Sequence, residues 1–160
     1  MFLVDRITLA KQTDEAFQDI LHGYSSYVFK QGKFKNEKQV CVTTLQSMIN
    51  EYHKHSAGYF DLIIIDECHR SIYGEWRTVL DHFDGIKVGL TATPCVAKAD
   101  HTQDEDEKKF VRDTLRFFNV TEPTYRYTLK NAIADGHLVP YHIYKANTVK
   151  TMADGGFDVQ

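Results

Sequence analysis

Asp66 and Glu67 stand side by side at the end of the run Leu62-Ile63-Ile64-Ile65, and His69 follows two residues later. Adjacent carboxylates leaving an apolar strand are costly to desolvate, so such a pair has a cation or a substrate proton to deal with. A phosphoryl-transfer site needs both. Asp66 suits magnesium held through its water shell, because that ion dehydrates reluctantly and takes few protein ligands. Glu67 points elsewhere on leaving the strand and can orient or deprotonate an attacking water. His69 is then placed to sense the state of the bound group and relay it to a neighbouring element.

Four short apolar runs must position these residues: Phe2-Leu3-Val4, Val40-Cys41-Val42, Leu62-Ile63-Ile64-Ile65 and Ile86-Lys87-Val88-Gly89-Leu90. Lys87 apart, the last two are apolar almost throughout, which suits parallel strands covered on both faces. Between the runs lie stripes of helical spacing. Ile7, Ala10, Phe17, Ile20 and Leu21 form one, Leu45, Met48, Ile49 and Tyr52 a second, and Trp76, Val79, Leu80 and Phe83 a third. Strands alternating with helices predict an α/β fold with right-handed crossovers. Each apolar run passes directly into polar residues: Asp5 and Arg6, Thr43 and Thr44, Asp66 and Glu67, then Thr91 and Thr93. A parallel sheet gathers all four sets at the carboxyl edge of its strands, where α/β proteins place ligands. For Asp5 or Thr43 singly, an ordinary polar turn accounts for the residue equally well.

The chain has 160 residues, 42% of them hydrophobic, which provides for one globular domain. The formal charge of -3 excludes a global positive field, so any nucleic-acid contact has to come from local Lys, Arg or backbone amides. Cys41, Cys68 and Cys95 are far apart and contain no C-x-x-C pair, which argues against a disulfide framework or a cysteine zinc site. His53 and His55 form an H-x-H pair on a polar stretch, where exposed loop histidines are the commoner explanation. No run approaches a membrane span or a signal peptide, so the expectation is a soluble, cytoplasmic protein without a membrane partner. After Pro94 the acidic run Asp104 to Glu107 reads as a solvated loop opening into a helix. Phe110, Val111, Leu115 and Phe118 give that helix a face, and Glu122-Pro123 stops it. A short helix around Leu129 to Ala134, a terminator at Gly136, a β-like run over 139–146 and a loose tail at 154–156 complete the chain.

Asp66-Glu67-Cys68-His69 is a D-E-x-H box, and Leu90-Thr91-Ala92-Thr93-Pro94 resembles the T-A-T-P coupling motif that follows it in superfamily-2 helicases and translocases. The box alone is weak evidence. With the second apolar strand about 25 residues later ending T-A-T-P, it is strong, because order, spacing and strand context must agree. Residues 2–12 resemble the strand and helix start that such enzymes set against the nucleic-acid backbone, and Val42-Thr43-Thr44-Leu45-Gln46 resembles their next backbone-touching turn. On that resemblance Arg6, Gln12, Thr44 and Gln46 are expected to contact nucleic acid, and His69, Thr91 and Thr93 to couple it to the catalytic Asp66 and Glu67. Helix amino ends offer unpaired N–H groups for phosphates, although N-capping explains Thr44 equally well.

Within the superfamily, V-D-R-x-x-L-A-x-Q, D-E-C-H-R, G-L-T-A-T-P and the stretch from Ala132 to Tyr141 look most like the restriction (R) subunit of type I restriction-modification enzymes. The resemblance covers residues 1–147. It implies a first RecA-like motor domain of the P-loop NTPase class over 1–147, with 148–160 a loose tail or the start of a linker to a second. It also implies ATP and magnesium as cofactors, with double-stranded DNA and the modification and specificity subunits as partners. The implied work is ATP-driven translocation before cleavage. The 160 residues contain no G-x-x-x-x-G-K-[ST] phosphate loop: Gly85 and Gly89 are isolated, and no lysine follows Gly155-Gly156. The expectation is therefore an incomplete parallel sheet with helices on both faces, lacking the phosphate-loop strand, inactive alone and prone to self-association through an exposed edge. The competing readings are a non-catalytic module that binds nucleic acid or a partner, and another superfamily-2 helicase of the type III restriction or repair kind.

Overall fold

A computed structural model describes residues 1–32, 34–95 and 113–141. The chain divides into two compact units, Met1–Pro123 and Thr124–Gln160. In the first, β1 (Phe2–Val4), β2 (Ser26–Val28), β3 (Val40–Thr44), β4 (Leu62–Ile65) and β5 (Ile86–Gly89) form one sheet in the order β2-β3-β1-β4-β5. Every neighbouring pair is parallel, so all five carboxyl ends lie at one edge. Four of the strands are the four apolar runs. The fifth, Ser26-Tyr27-Val28, carries too little apolar sequence to announce itself and exists through its pairing with β3.

The helices of this unit are α1 (Ile7–Ile20), α2 (Leu45–Met48), α3 (Glu75–His82) and α4 (Thr114–Phe117). On one face of the sheet Leu3, Tyr27, Cys41, Ile63 and Ile65 pack with Met48 of α2 and with Val79, Leu80 and Phe83 in and after α3. Ile63 and Ile65 are wholly buried, and burial of each such side chain stabilises the fold by about 1.5–3 kcal/mol. This core fixes the strand from which Asp66 emerges. Lys87, the charged residue in the last apolar run, donates from Nζ to the Phe83 carbonyl at 2.6 Å, satisfying an orphan acceptor at the end of α3.

On the other face α1 lies across β1, β2 and β3, with Val4, Val42 and Ala10 buried and Phe17 and Phe2 packed edge to face. The stripe read for α1 is only partly used. Ala10 is fully buried, while Ile7, Ile20 and Leu21 stay exposed, because the helix comes closest to the sheet at its alanine. The second stripe is likewise shorter than its spacing suggests: α2 makes one turn, and a 3-10 turn at Tyr52–Lys54 follows. Phe110 and Val111 lie outside the described residues, as do the acidic run and the tail. In the second unit α5 (Leu129–Ala134) has Thr128 as its N-cap, accepting the Asn131 N–H at 3.2 Å, and Gly136 ends it at φ +76°. Residues 139–141 form no strand, and the rest of that β-like run is outside the described residues.

The register puts Leu62, Ile86 and Val88 on the face that α1 covers elsewhere, yet Ile86 is 72% exposed and Leu62 and Val88 are exposed too. Parallel sheets are ordinarily covered on both sides. An apolar strip at an edge strand is a site for association. We expect the 160-residue chain to self-associate in sedimentation velocity as concentration rises, and an Ile86→Lys, Val88→Lys double variant to sediment as a monomer. A sharp monomer for the unaltered chain at every concentration would contradict this.

Candidate functional site

Ile65 ends β4 with its carbonyl accepting the Leu90 N–H at 2.9 Å, and the Asp66 N–H donates to the Leu3 carbonyl of β1 at 2.9 Å. Asp66 thus leaves a strand gripped from both sides. Its Oδ1 accepts the Glu67 N–H at 3.1 Å, and among the described residues Oδ2 has no hydrogen-bond partner. Glu67 adopts a left-handed conformation, φ 49° and ψ 46°, which costs a non-glycine residue about 1–2 kcal/mol. That bend turns its carboxylate away from the line of the strand, and the side chain remains 43% exposed. A 3-10 turn, Cys68–Arg70, follows at once.

His69 joins the two strand tips. Its Nδ1 lies 2.8 Å from Thr91 Oγ1 and 3.2 Å from Glu67 Oε2, and its Nε2 lies 3.5 Å from Thr93 Oγ1. Thr91 Oγ1 also accepts the Thr93 N–H at 3.0 Å. A neutral imidazole with the proton on Nδ1 satisfies all of these contacts, donating toward Glu67 and Thr91 while Nε2 accepts from the Thr93 hydroxyl. The Cys68 N–H donates to the Leu90 carbonyl at 3.0 Å, so the turn after β4 and the tip of β5 are one bonded unit. Cys68 itself is buried, with burial pushing its thiol up to about 11. Beneath the tip Gly89 leaves space for the Phe118 ring, which a Cβ would meet at 2.3 Å.

Of the remaining expected residues, Arg6, Thr44 and Gln46 sit along the same edge, at or just after the ends of β1 and β3. A cavity of about 330 Å³ is lined by Asp5, Ile7, Lys30, Thr44, Gln46 and Ser47. Thr44 caps α2, its Oγ1 accepting the Ser47 N–H at 3.2 Å, so the capping role read for it is realised. Gln46 is exposed on the cavity wall. Arg6, the residue before α1, is highly exposed beside Asp5, with Nε 3.7 Å from Asp5 Oδ2. Gln12 is exposed on α1 but does not line the cavity, since six residues along a helix move it about 9 Å from Arg6. The structure therefore brings Asp66, Glu67, His69, Thr91 and Thr93 together, and sets Thr44 and Gln46 on a neighbouring hollow, with Arg6 next in sequence to its wall residue Asp5.

Sequence reasoning missed Lys30, which follows the unannounced strand β2, and Ser47, which reads as an ordinary helix residue. It also missed the ion pair from Arg70 Nη1 to Asp5 Oδ2 at 2.6 Å. Among the described residues no group of three or more His, Cys, Asp or Glu is placed to hold a metal ion. His55 instead packs against the ring of Phe34, and its carbonyl faces His82 Nε2 at 2.8 Å. Among the described residues no helix is long and apolar enough to cross a membrane.

Residues 1–96 match the family model described as type III restriction enzyme, res subunit. The chain is 30% identical over 169 residues to the type I restriction enzyme EcoKI endonuclease subunit of Escherichia coli K12, an alignment covering 87% of this chain and 13% of that protein. It is 40% identical over 93 residues to the EcoAI endonuclease subunit of Escherichia coli, covering 56% of this chain and 10% of that one. A solved fragment described as an HsdR subunit of a type I restriction enzyme from Vibrio vulnificus YJ016 superposes with a TM-score of 0.51 at 31% identity, over 84% of this chain and 20% of that chain. The chain thus spans a tenth to a fifth of the length of these relatives.

Proposed function

This chain belongs to the family of the type III restriction enzyme res subunit, with type I restriction endonuclease subunits among its relatives, and on that premise we propose that it forms part of the first motor domain of a type I restriction subunit. In this reading the whole protein hydrolyses ATP to move along double-stranded DNA before cleavage, in a complex with modification and specificity subunits. Residues 1–147 belong to that motor domain and 148–160 begin the passage to a second. The observation that carries the reading is the bonded unit of two strand tips, with Glu67, Thr91 and Thr93 within hydrogen-bonding reach of the His69 imidazole.

The donor set fits magnesium. Asp66 offers a carboxylate oxygen that no hydrogen bond from the described residues occupies, and an ion that keeps most of its water needs no larger protein cage. Bound there, magnesium would neutralise charge on the nucleotide phosphates. Glu67 orients the attacking water and takes its proton at a carboxylate oxygen, the left-handed bend having turned that group off the strand axis. His69 holds Glu67 through Nδ1 and touches Thr91 and Thr93, so a change at Glu67 reaches the tip of β5. Arg6, Thr44, Gln46 and Gln12 meet the phosphate backbone of DNA, which gives position without sequence readout.

A second reading, a non-catalytic module that binds nucleic acid or a partner, is favoured for these 160 residues in isolation by their lack of a G-x-x-x-x-G-K-[ST] loop. Transition-state charge neutralisation alone is worth about 10³- to 10⁵-fold in phosphoryl transfer. The 160-residue chain is accordingly expected to release no phosphate from ATP above background, and a longer chain that includes a phosphate loop and a second motor domain to do so when duplex DNA is added. Turnover by the 160 residues alone, or none by the longer protein with DNA, would overturn the reading.

A further inference from the structure

A glutamate held in the left-handed region needs restraints on either side. Upstream, Asp66 is tied to β1 through the Leu3 carbonyl. Downstream, the turn Cys68–Arg70 is tied at its first residue to the Leu90 carbonyl and at its last to Asp5, where Arg70 Nη1 donates to Oδ2 at 2.6 Å. Asp5 closes β1 and is also a wall of the cavity that holds Lys30, Thr44 and Gln46. One ion pair between residues 65 apart in sequence therefore joins the turn carrying Glu67 and His69 to that cavity. Its value is not stability, because Arg70 is 53% exposed and exposed pairs contribute little.

We propose that Asp5 and Arg70 are a positioning pair through which a DNA phosphate entering the Thr44 cavity changes the setting of Glu67. The proposal rests on the reading of that cavity as the DNA edge. A phosphate arriving beside Asp5 is an anion next to an anion, and it competes with the carboxylate for Arg70 and for Arg6, whose Nε is 3.7 Å from the same oxygen. Drawing Arg70 away moves the end of a three-residue turn that starts immediately after Glu67. Without its partner, Asp5 would only repel the backbone it faces. Paired, it holds Glu67 in one setting until DNA is present.

The test uses the full-length enzyme and measures DNA affinity together with ATP turnover with and without saturating duplex. Arg70→Gln is expected to keep its melting temperature and to turn over ATP faster without DNA, because Glu67 is no longer held, while stimulation by DNA falls about tenfold, within the usual range for coupling between two sites. Arg70→Lys keeps a donor for a contact made through a single nitrogen, so it should retain most of the stimulation. Asp5→Asn should bind DNA as tightly as the unaltered protein or more tightly, yet be stimulated less, which a simple loss of binding cannot produce. Unchanged stimulation in Arg70→Gln, or turnover with and without DNA falling in parallel, would overturn the proposal alone. An unaltered enzyme with no DNA-stimulated turnover would overturn the DNA-edge reading and the proposal with it.

Discussion

On the proposed reading, replacing Glu67 with glutamine in the full-length protein is expected to lower ATP turnover by about 10²- to 10⁴-fold, the contribution usual for a positioned general base. The amide keeps the size of the side chain and its place on the left-handed bend, and a hydrogen bond to His69 remains available. What it loses is the capacity to take a proton. Asp66 is untouched, with Oδ1 still accepting the backbone N–H of residue 67. Nucleotide binding should therefore survive, and the loss should fall on kcat while KM changes little, the signature of an interaction made in the transition state. DNA affinity should also be retained, because Arg6, Thr44 and Gln46 lie at the ends of other strands. A Glu67→Gln enzyme that turns over ATP at a normal rate would remove the catalytic assignment. Equal loss of nucleotide binding and turnover would give Glu67 a structural role instead.

The second large effect is on stability in alkali. Burial pushes the Cys41 thiol from its ordinary value of 9.0 up to about 11, and the Cys68 thiol likewise. Both side chains are almost inaccessible, so the folded state holds these protons while the unfolded chain releases them. Below pH 9 the two states carry the same protons at these sites and the stability is fully present. As pH rises from 9 through 11 the unfolded state is favoured by about 1.4 kcal/mol per pH unit for each thiol, and thus by roughly 5 kcal/mol from the pair. Burial also raises the Tyr27 hydroxyl, which bonds to Cys41, and this acts in the same direction. Urea midpoints under reducing conditions should fall steadily between pH 9 and 11. A Cys41→Ala, Cys68→Ala double variant starts less stable but should show a much flatter dependence. If its slope matched that of the parent chain, the thiols would not be the cause.

Cys68 shows how the site depends on what lies beneath it. It fills the third position of the D-E-C-H run, its sulfur buried near Gly89 and its N–H bonded to the Leu90 carbonyl. The motif reads as chemistry at Asp66, Glu67 and His69, but its intervening residue is a core residue. A larger or charged side chain there would separate the tips that His69 connects.

Local sequence determined a good deal. Short apolar runs defined β1, β3, β4 and β5, and polar residues at their ends marked one edge of the sheet, because burial on both faces demands unbroken apolar sequence and water returns only where a strand stops. The short helix at Leu129–Ala134 was equally legible, since its cap and its terminating glycine are local signals. Tertiary structure decided the rest. Strand β2 is drawn from three residues by a neighbour's hydrogen bonds, and α1 buries its alanine in preference to its isoleucines because only a small residue permits that approach. The left-handed turn at Glu67, the sharing of one imidazole by Glu67, Thr91 and Thr93, and the pairing of Asp5 with Arg70 join residues up to 65 positions apart. Periodicity reports which face of an element avoids water, and it carries no information about which side chains meet across separate strands. That depends on strand order and register, which are set by the packing of the whole sheet.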